Sequence, residues 1–352
     1  MVKKRIIFMI GSPNQTLQMF KIYEHLKDEY DCYFTQIFSN HPLYPIVAKT
    51  GLFNKTILAG RFKELADKFL IDHHLKNDYK TKVYNNSYDL AVVCTDLFIT
   101  KVLLRTKTIF IQEGMTDPMT WWNRVVNFMG WEGYLGFNTA LNGGNNKCDI
   151  YCVASERYAE DMSKLGTPKE KFVVTGIPNY DGAASFLENN FPLKDYVLVC
   201  SSDLRETGRI HNRRKFIKKC LEIAQGRQLV WKLHPNENYE RAAREIREEA
   251  GEDVPIYLDG PTESMIANCS ELITQYSSVV YIGLALGKKC HSYFPLDEIK
   301  AKTPVQTGGR SAKIIADLCD TYINYKGSLE DFLKNELQKF NYRNFKFINQ
   351  EV

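Results

Sequence analysis

The chain has 352 residues, of which 44% are hydrophobic and 25% charged, enough for two domains with separate cores and ordinary for a soluble globular protein. Lys and Arg number 46 against 42 Asp and Glu; a net charge of +4 makes no demand for nucleic acid and is compatible with anionic substrates or a lipid surface. No run reaches the roughly 18–20 apolar residues of a membrane span, and the nine cysteines, scattered through apolar segments without a CxxC pair, fit reduced buried thiols of a cytosolic protein rather than a disulfide framework or a zinc site.

The opening MVKKRIIFMIGS carries basic residues and a short apolar run but leads into a polar loop, so it is read as a first strand and not as a secretory leader. CYFTQIF, YDLAVVCTD, TKTIFIQEG, DIYCVAS and KFVVTGIP follow as further strands of a first set. A second set comprises DYVLVCSSD, QLVWKLHP, PIYLDG and ELITQYSS, with RRKFIKKCLEIAQG, NYERAAREIREEAG and TESMIANCS as the helices between them. Strands alternating with amphipathic helices predict parallel sheets covered by helices. The stretch Ala183 to Lys194, weakly periodic and holding a proline, is the expected linker. The predicted architecture is α/β: two Rossmann-like domains, 1–185 and 195–310, whose parallel sheets face a central cleft, with C-terminal helices over 311–352 packing back on the first domain. Ligands of such sheets bind at the carboxyl ends of the strands, so the strand exits hold the candidate residues.

Gly11-Ser12-Pro13, after the first strand, is expected to border an acceptor and lacks the dinucleotide fingerprint GxGxxG. Gln112-Glu113-Gly114 ends the strand TKTIFI and opens a loop; a glutamate in a partly dry site suits a general base for a hydroxyl, with capping of its own loop as the plainer role. The following loop carries Trp121, Trp122 and Trp131, a candidate platform for a sugar or a lipid. In the second set Asp203 ends one strand, as a candidate nucleophile or else an N-cap or a partner of Arg205. Lys232 and His234, with Pro235 stopping the strand, offer a point charge and an imidazole donor to a phosphate oxygen. Ser277 and Ser278 precede a helix, where capping and anion binding use the same geometry. His234 and the serine pair are expected on adjacent strand ends, around one anion. No Asp-x-Asp occurs, so no metal site for a diphosphate is expected, and no cofactor. His41-Pro42 repeats the HP pair in a loop. The tail holds Phe340, Tyr342, Phe345 and Phe347 among Lys339, Arg343 and Lys346, a mixture suited to an anionic membrane surface, though a terminal helix packing on the first domain is the simpler reading.

QEG after a first-domain strand, HP after a second-domain strand and Ser-Ser before a helix, in that order from Gln112 to Ser278, resemble the GT-B glycosyltransferases that use CMP-activated sugars, above all the bacterial β-Kdo transferases of capsule and O-antigen assembly. The resemblance implies that His234, Ser277 and Ser278, with Lys232, hold the phosphate of CMP, that Glu113 is the acid/base, and that retention of configuration uses a carboxylate nucleophile, for which Asp203 is suitably placed. It implies transfer of an ulosonic, Kdo-like sugar to a glycan or lipid-linked glycan acceptor, without nucleic acid, in the cytoplasm or at the inner face of the cell membrane. Arg205, Arg209 and Arg310 are then candidates for the carboxylate of the donor sugar, and Ser12, Gln112, Gly114, Trp121 and Trp122 for the acceptor side. Gln112 stands where the related sialyltransferases have an acidic residue, which favours the Kdo type. Glu263-x7-Glu271 has the spacing of retaining UDP- or GDP-sugar enzymes but lies before the Ser-Ser strand and lacks their Phe-Gly core. CDP-glycerol glycerophosphotransferases, UDP-sugar transferases or epimerases, and a non-catalytic glycan-binding protein are the alternatives.

Overall fold

The structure, a computed structural model, describes residues 2–38, 61–206 and 211–345. The described residues form two compact units, one from those up to Asp181 together with those from Gly309 to 345, the other within Gly182–Gly308. His41-Pro42, Arg209, Lys346 and Phe347 lie outside the described residues.

The first unit is built on a six-stranded, wholly parallel sheet. Its strands are β1 (Arg5–Ile10), β2 (Asp31–Gln36), β3 (Leu90–Val93), β4 (Lys107–Ile111), β5 (Ile150–Val153) and β6 (Phe172–Val174), in the spatial order β2-β1-β3-β4-β5-β6. Helices cover both faces, which is why β1 and β3 are near-continuous apolar runs: Ile6 to Ile10 and all of β3 are buried. The chain winds from β1 outward to β2, then returns past β1 to lay down β3 through β6. Between β1 and β3 the winding reverses, and the loops leaving these strands diverge to opposite faces of the sheet. The helix Ser311–Asn324 belongs to this unit, burying Ile315, Leu318, Cys319 and Tyr322 in the same core as Ile6, Phe8 and Val92. The tail beyond it stays on the unit as well: Leu337 is buried and Phe340 packs against this core.

The second unit carries a five-stranded parallel sheet in the order β11-β10-β7-β8-β9, with β7 (Val197–Cys200), β8 (Leu229–Lys232), β9 (Ile256–Tyr257), β10 (Glu271–Thr274) and β11 (Lys289–His291). Phe216, Ile217, Trp231 and Ile246 dominate its core. All ten strands expected from the sequence form. The eleventh, β11, is a three-residue edge strand, Lys-Cys-His, whose only fully buried side chain is Cys290, so it carries no alternation long enough to see. The expected linker 183–194 is held against the helix Thr262–Asn268, where the Asn268 amide donates to the carbonyls of Phe191 and Leu193 and pairs with Asn189. All nine cysteines are buried and free.

Candidate functional site

In the first unit the chemistry gathers where the winding reverses. Ser12 ends the β1 exit loop and caps the helix Pro13–Tyr23: its Oγ accepts from the Gln15 N–H at 3.2 Å, while its own N–H donates to Gln15 Oε1 at 3.0 Å. This reciprocal cap, with Pro13 in the first turn, fixes both side chains before any ligand arrives. Their remaining donors meet one carboxylate. Ser12 Oγ donates to Glu113 Oε1 at 2.8 Å and Gln15 Nε2 to Glu113 Oε2 at 2.7 Å. Burial pushes the Glu113 carboxyl up from its ordinary value, and the two donated hydrogen bonds pull it back only in part. A carboxyl held in one geometry with an elevated proton affinity is what a general base needs.

Gln112 braces that arrangement. Buried, it donates from Nε2 to the Gly114 carbonyl at 2.9 Å and accepts at Oε1 from the Ala154 N–H at 2.9 Å, while its backbone carbonyl accepts from Gln18 Nε2 at 3.0 Å. Both polar atoms of its side chain are thus engaged within the protein, which shapes the loop. Gly114 lies against the Tyr180 ring, with room for a Cβ at ordinary contact only. Trp122 turns inward, its indole N–H donating to the Leu135 carbonyl at 2.8 Å and its ring packing on a small satellite core of Leu97, Val126 and Leu141; Trp121 stands exposed.

In the second unit β7 lies between β8 and β10, so the exits carrying His234 and the serine pair are separated by the Ser201-Ser202-Asp203 loop rather than adjacent. The β7 loop links them. His234 Nδ1 accepts the Asn236 N–H at 3.2 Å and sits 3.6 Å from Asp203 Oδ2, which also accepts from Asn236 Nδ2 at 3.0 Å. With Nδ1 accepting, Nε2 is the nitrogen that carries the proton of the neutral ring and donates outward. Arg205, one of the expected partners of Asp203, instead grips Glu245 through both terminal nitrogens at 2.8 and 2.7 Å.

Two residues that the sequence reading passed over hold this loop system together. Glu237 and Arg213 form an ion pair of 3.1 Å with both side chains only 3% exposed. The other oxygen of Glu237 accepts from the His234 N–H at 3.1 Å and from the Ser201 hydroxyl. One carboxylate thus ties the β8 exit, the β7 exit and the first turn of the helix Arg213–Ala224. Gln275, also buried, receives the Ser202 N–H at 3.2 Å and contacts His211 Nε2 at 2.6 Å, joining the β10 exit to the same loop. Burial, then the positive charges of Arg213 and Arg205, push the His211 imidazole below its ordinary value, so it is neutral near pH 7. Glu237 stands among polar neighbours in the sequence, His-Pro-Asn-Glu-Asn, so nothing local marked it as buried.

Lys232 departs from expectation. Its ammonium is buried and donates to the carbonyls of Leu233 and Leu258 at 3.1 and 2.7 Å, because a buried cation needs acceptors and the exits of β8 and β9 supply them. Ser277 and Ser278 are half-buried, and their carbonyls accept the Val280 and Tyr281 N–H groups at 3.3 and 3.0 Å, starting the short helix Val280–Ala285. Arg310 is an exposed residue of the first unit, beside the helix Ser311–Asn324, and not of the second with Arg205. Glu271 sits at the amino end of β10, opposite the strand exits, among Arg227, Lys289 and His291 at 3.0, 3.1 and 2.9 Å, which removes the Glu263-x7-Glu271 spacing from the site.

No family model matches this chain, and no curated protein matches it. Solved structures do. A UDP-GlcNAc 2-epimerase from Neisseria meningitidis, bound to UDP-GlcNAc, is similar with a TM-score of 0.57 and 12% identity over 90% of this chain and 100% of its own. The S. aureus MnaA–UDP co-structure gives 0.57 and 13% over 91% and 97%, and a UDP-N-acetylglucosamine 2-epimerase from Rickettsia bellii 0.53 and 10% over 92% and 98%. At such identities the likeness speaks for the fold: two Rossmann-like α/β units with parallel sheets, of the GT-B type.

Proposed function

We propose that this chain is a metal-independent glycosyltransferase that moves an ulosonic, Kdo-like sugar from a CMP-activated donor to a hydroxyl of a glycan or lipid-linked glycan. The observation that carries the reading is Glu113, clamped by Ser12 and Gln15 at the reversal point of the first sheet with its proton affinity raised. In that role it accepts the proton of the acceptor hydroxyl as the new glycosidic bond forms. The second unit supplies the donor side: His234 Nε2, with Ser277 and Ser278, holds the departing phosphate, and Asp203, oriented by Asn236 beside the imidazole, is the nucleophile of a retaining double displacement. Arg205 is not assigned to the donor carboxylate, since it is committed to Glu245. The buried free thiols suit the cytoplasm.

The test is protection of the native state by ligand. CMP is expected to raise the melting temperature where UDP and NAD do not; His234→Ala is expected to abolish that protection, and Glu113→Gln to keep it while abolishing transfer. Protection by UDP and not by CMP sinks the CMP reading. It would put forward a second one, a UDP-sugar transferase or epimerase, which the UDP and UDP-GlcNAc complexes among the similar structures favour.

A further inference from the structure

The segment after the Glu113 loop presents an apolar surface that folding does not account for. Trp121 is 73% exposed, Phe128 88% and Phe137 82%, with Met129 and Trp131 about half exposed beside them. Trp121 and Phe128 are seven residues apart in the helix Trp121–Phe128 and so share one face, together with the exposed Arg124. Phe137 adds a second anomaly: it adopts a left-handed backbone (φ 59°), a conformation that costs a bulky residue energy, yet its ring gains no burial in return.

The platform beneath is rigid. Thr120 and Asn123 cap the helix reciprocally, and Asn123 Nδ2 donates to the Gly136 carbonyl at 3.1 Å and to Asn138 at 3.0 Å. Any Cβ at Gly136 would lie 2.5 Å from that amide, so the close approach requires glycine. Trp122 locks the turn from within through Leu135. Charge decides what such a surface meets. The one acid of the segment, Glu132, is neutralised by Lys147 at 2.6 Å, whereas Arg124 is exposed and its side chain has no partner among the described residues. Lys101 and Arg105, close after Phe98 whose ring stacks on Tyr134, are likewise exposed and unpaired among the described residues. Exposed tryptophan and phenylalanine set among uncompensated cations complement the interface of an anionic bilayer, where rings sit at headgroup depth and cations meet lipid phosphates. No helix among the described residues is long and apolar enough to cross a membrane, so the contact is a resting one.

We propose that residues 121–137 form a peripheral membrane-docking face for anionic lipid. The test is co-sedimentation of the full chain with vesicles of phosphatidylcholine alone and of an equal mixture with phosphatidylglycerol. Binding is expected to the mixed vesicles, weakened by salt, with a shift of tryptophan emission to shorter wavelength. Trp121→Ser, Phe128→Ser and Phe137→Asn together are expected to lower the partition coefficient at least tenfold, as roughly tenfold per buried ring would allow, and Arg124→Glu to weaken binding to the mixed vesicles alone. The melting temperature and nucleotide protection should survive in each variant, so the outcome is separate from that for the transferase reading. Wild type that ignores both vesicles, or binding unchanged in the triple variant, overturns the proposal. Self-association without lipid that the triple variant abolishes also overturns it, assigning the face to a second copy.

Discussion

Replacing Glu113 by glutamine tests whether the carboxylate is held against its own preference for water. The isosteric amide mimics the protonated carboxyl: its oxygen accepts from Gln15 Nε2 and its amino group donates to Ser12 Oγ, so the charge is removed and one hydrogen bond reverses. Because the folded-state proton affinity is raised, mainly by burial, the native state binds more protons at this site than the unfolded chain does. The stability this group contributes is therefore full below the unfolded value near 4.3 and is lost as pH rises through the folded value. Each unit of elevation corresponds to about 1.4 kcal/mol, or roughly 3–6 °C in the melting temperature of a unit this size. Glu113→Gln is thus expected to melt higher than wild type at pH 7.5, with the difference shrinking to nothing by about pH 4, and to be inactive. The assay is thermal unfolding across that pH range, followed by fluorescence; three of the four tryptophans, Trp121, Trp122 and Trp131, lie in the first unit and report its transition. A difference that is the same at every pH, or a variant less stable at pH 7.5 than at pH 4.5 relative to wild type, refutes an elevated Glu113.

Three further predictions concern the scaffold. Glu237→Ala leaves the Arg213 guanidinium buried without its counter-charge and is expected to destabilise the second unit by about 3–5 kcal/mol, read by urea unfolding of the Trp231 signal, while Arg213→Met with Glu237→Leu recovers a large part of the loss; equal losses in the single and double variants would contradict the pairing. At Glu271 burial alone would raise the carboxyl, but hydrogen bonds from His291, Arg227 and Lys289 outweigh it and hold it at about 2. Its contribution is therefore present above the unfolded value and lost as pH falls through about 2. With Arg227 and Lys289 open to solvent, which screens their share, Glu271→Gln should remove about 1–2 kcal/mol at neutral pH and flatten the acid limb of the stability curve, and an unchanged acid limb would count against the network. Phe137→Asn is expected to leave stability unchanged or raise it by up to about 1 kcal/mol, because asparagine tolerates the left-handed backbone and the lost ring was exposed; calorimetry showing a clear loss would mean the ring packs on something.

Strands were legible where both sheet faces are covered, because burial on two sides forces unbroken apolar runs such as Ile6 to Ile10 and Leu90 to Val93. Short edges escaped notice: β11 has too few residues to show a period. Among candidate residues, Glu113 and His234 could be named because strand exits are visible as an apolar run followed by a turn. The pairings could not. Ser12 was named at its own strand exit but not as a partner of Glu113, since it and Gln15 lie about 100 residues before that carboxylate, and Glu237 meets Arg213 across a helix start, distances in sequence that no local pattern spans. Lys232 shows the converse: its place at a strand end was correct, and its direction, toward the carbonyls of Leu233 and Leu258, was settled by what lay next to it in space.

The sequence by itself determined the two sets of alternating strands and helices and which residues stand at the strand exits, since hydrophobic periodicity and turn chemistry are properties of neighbouring residues. The order of strands within each sheet, the separation of the His234 and Ser277 exits by β7, and the burial that raises Glu113 against the pull of its Ser12 and Gln15 clamp were decided only in the folded chain. Pairing order and desolvation depend on contacts between segments far apart in sequence, and no local pattern records them.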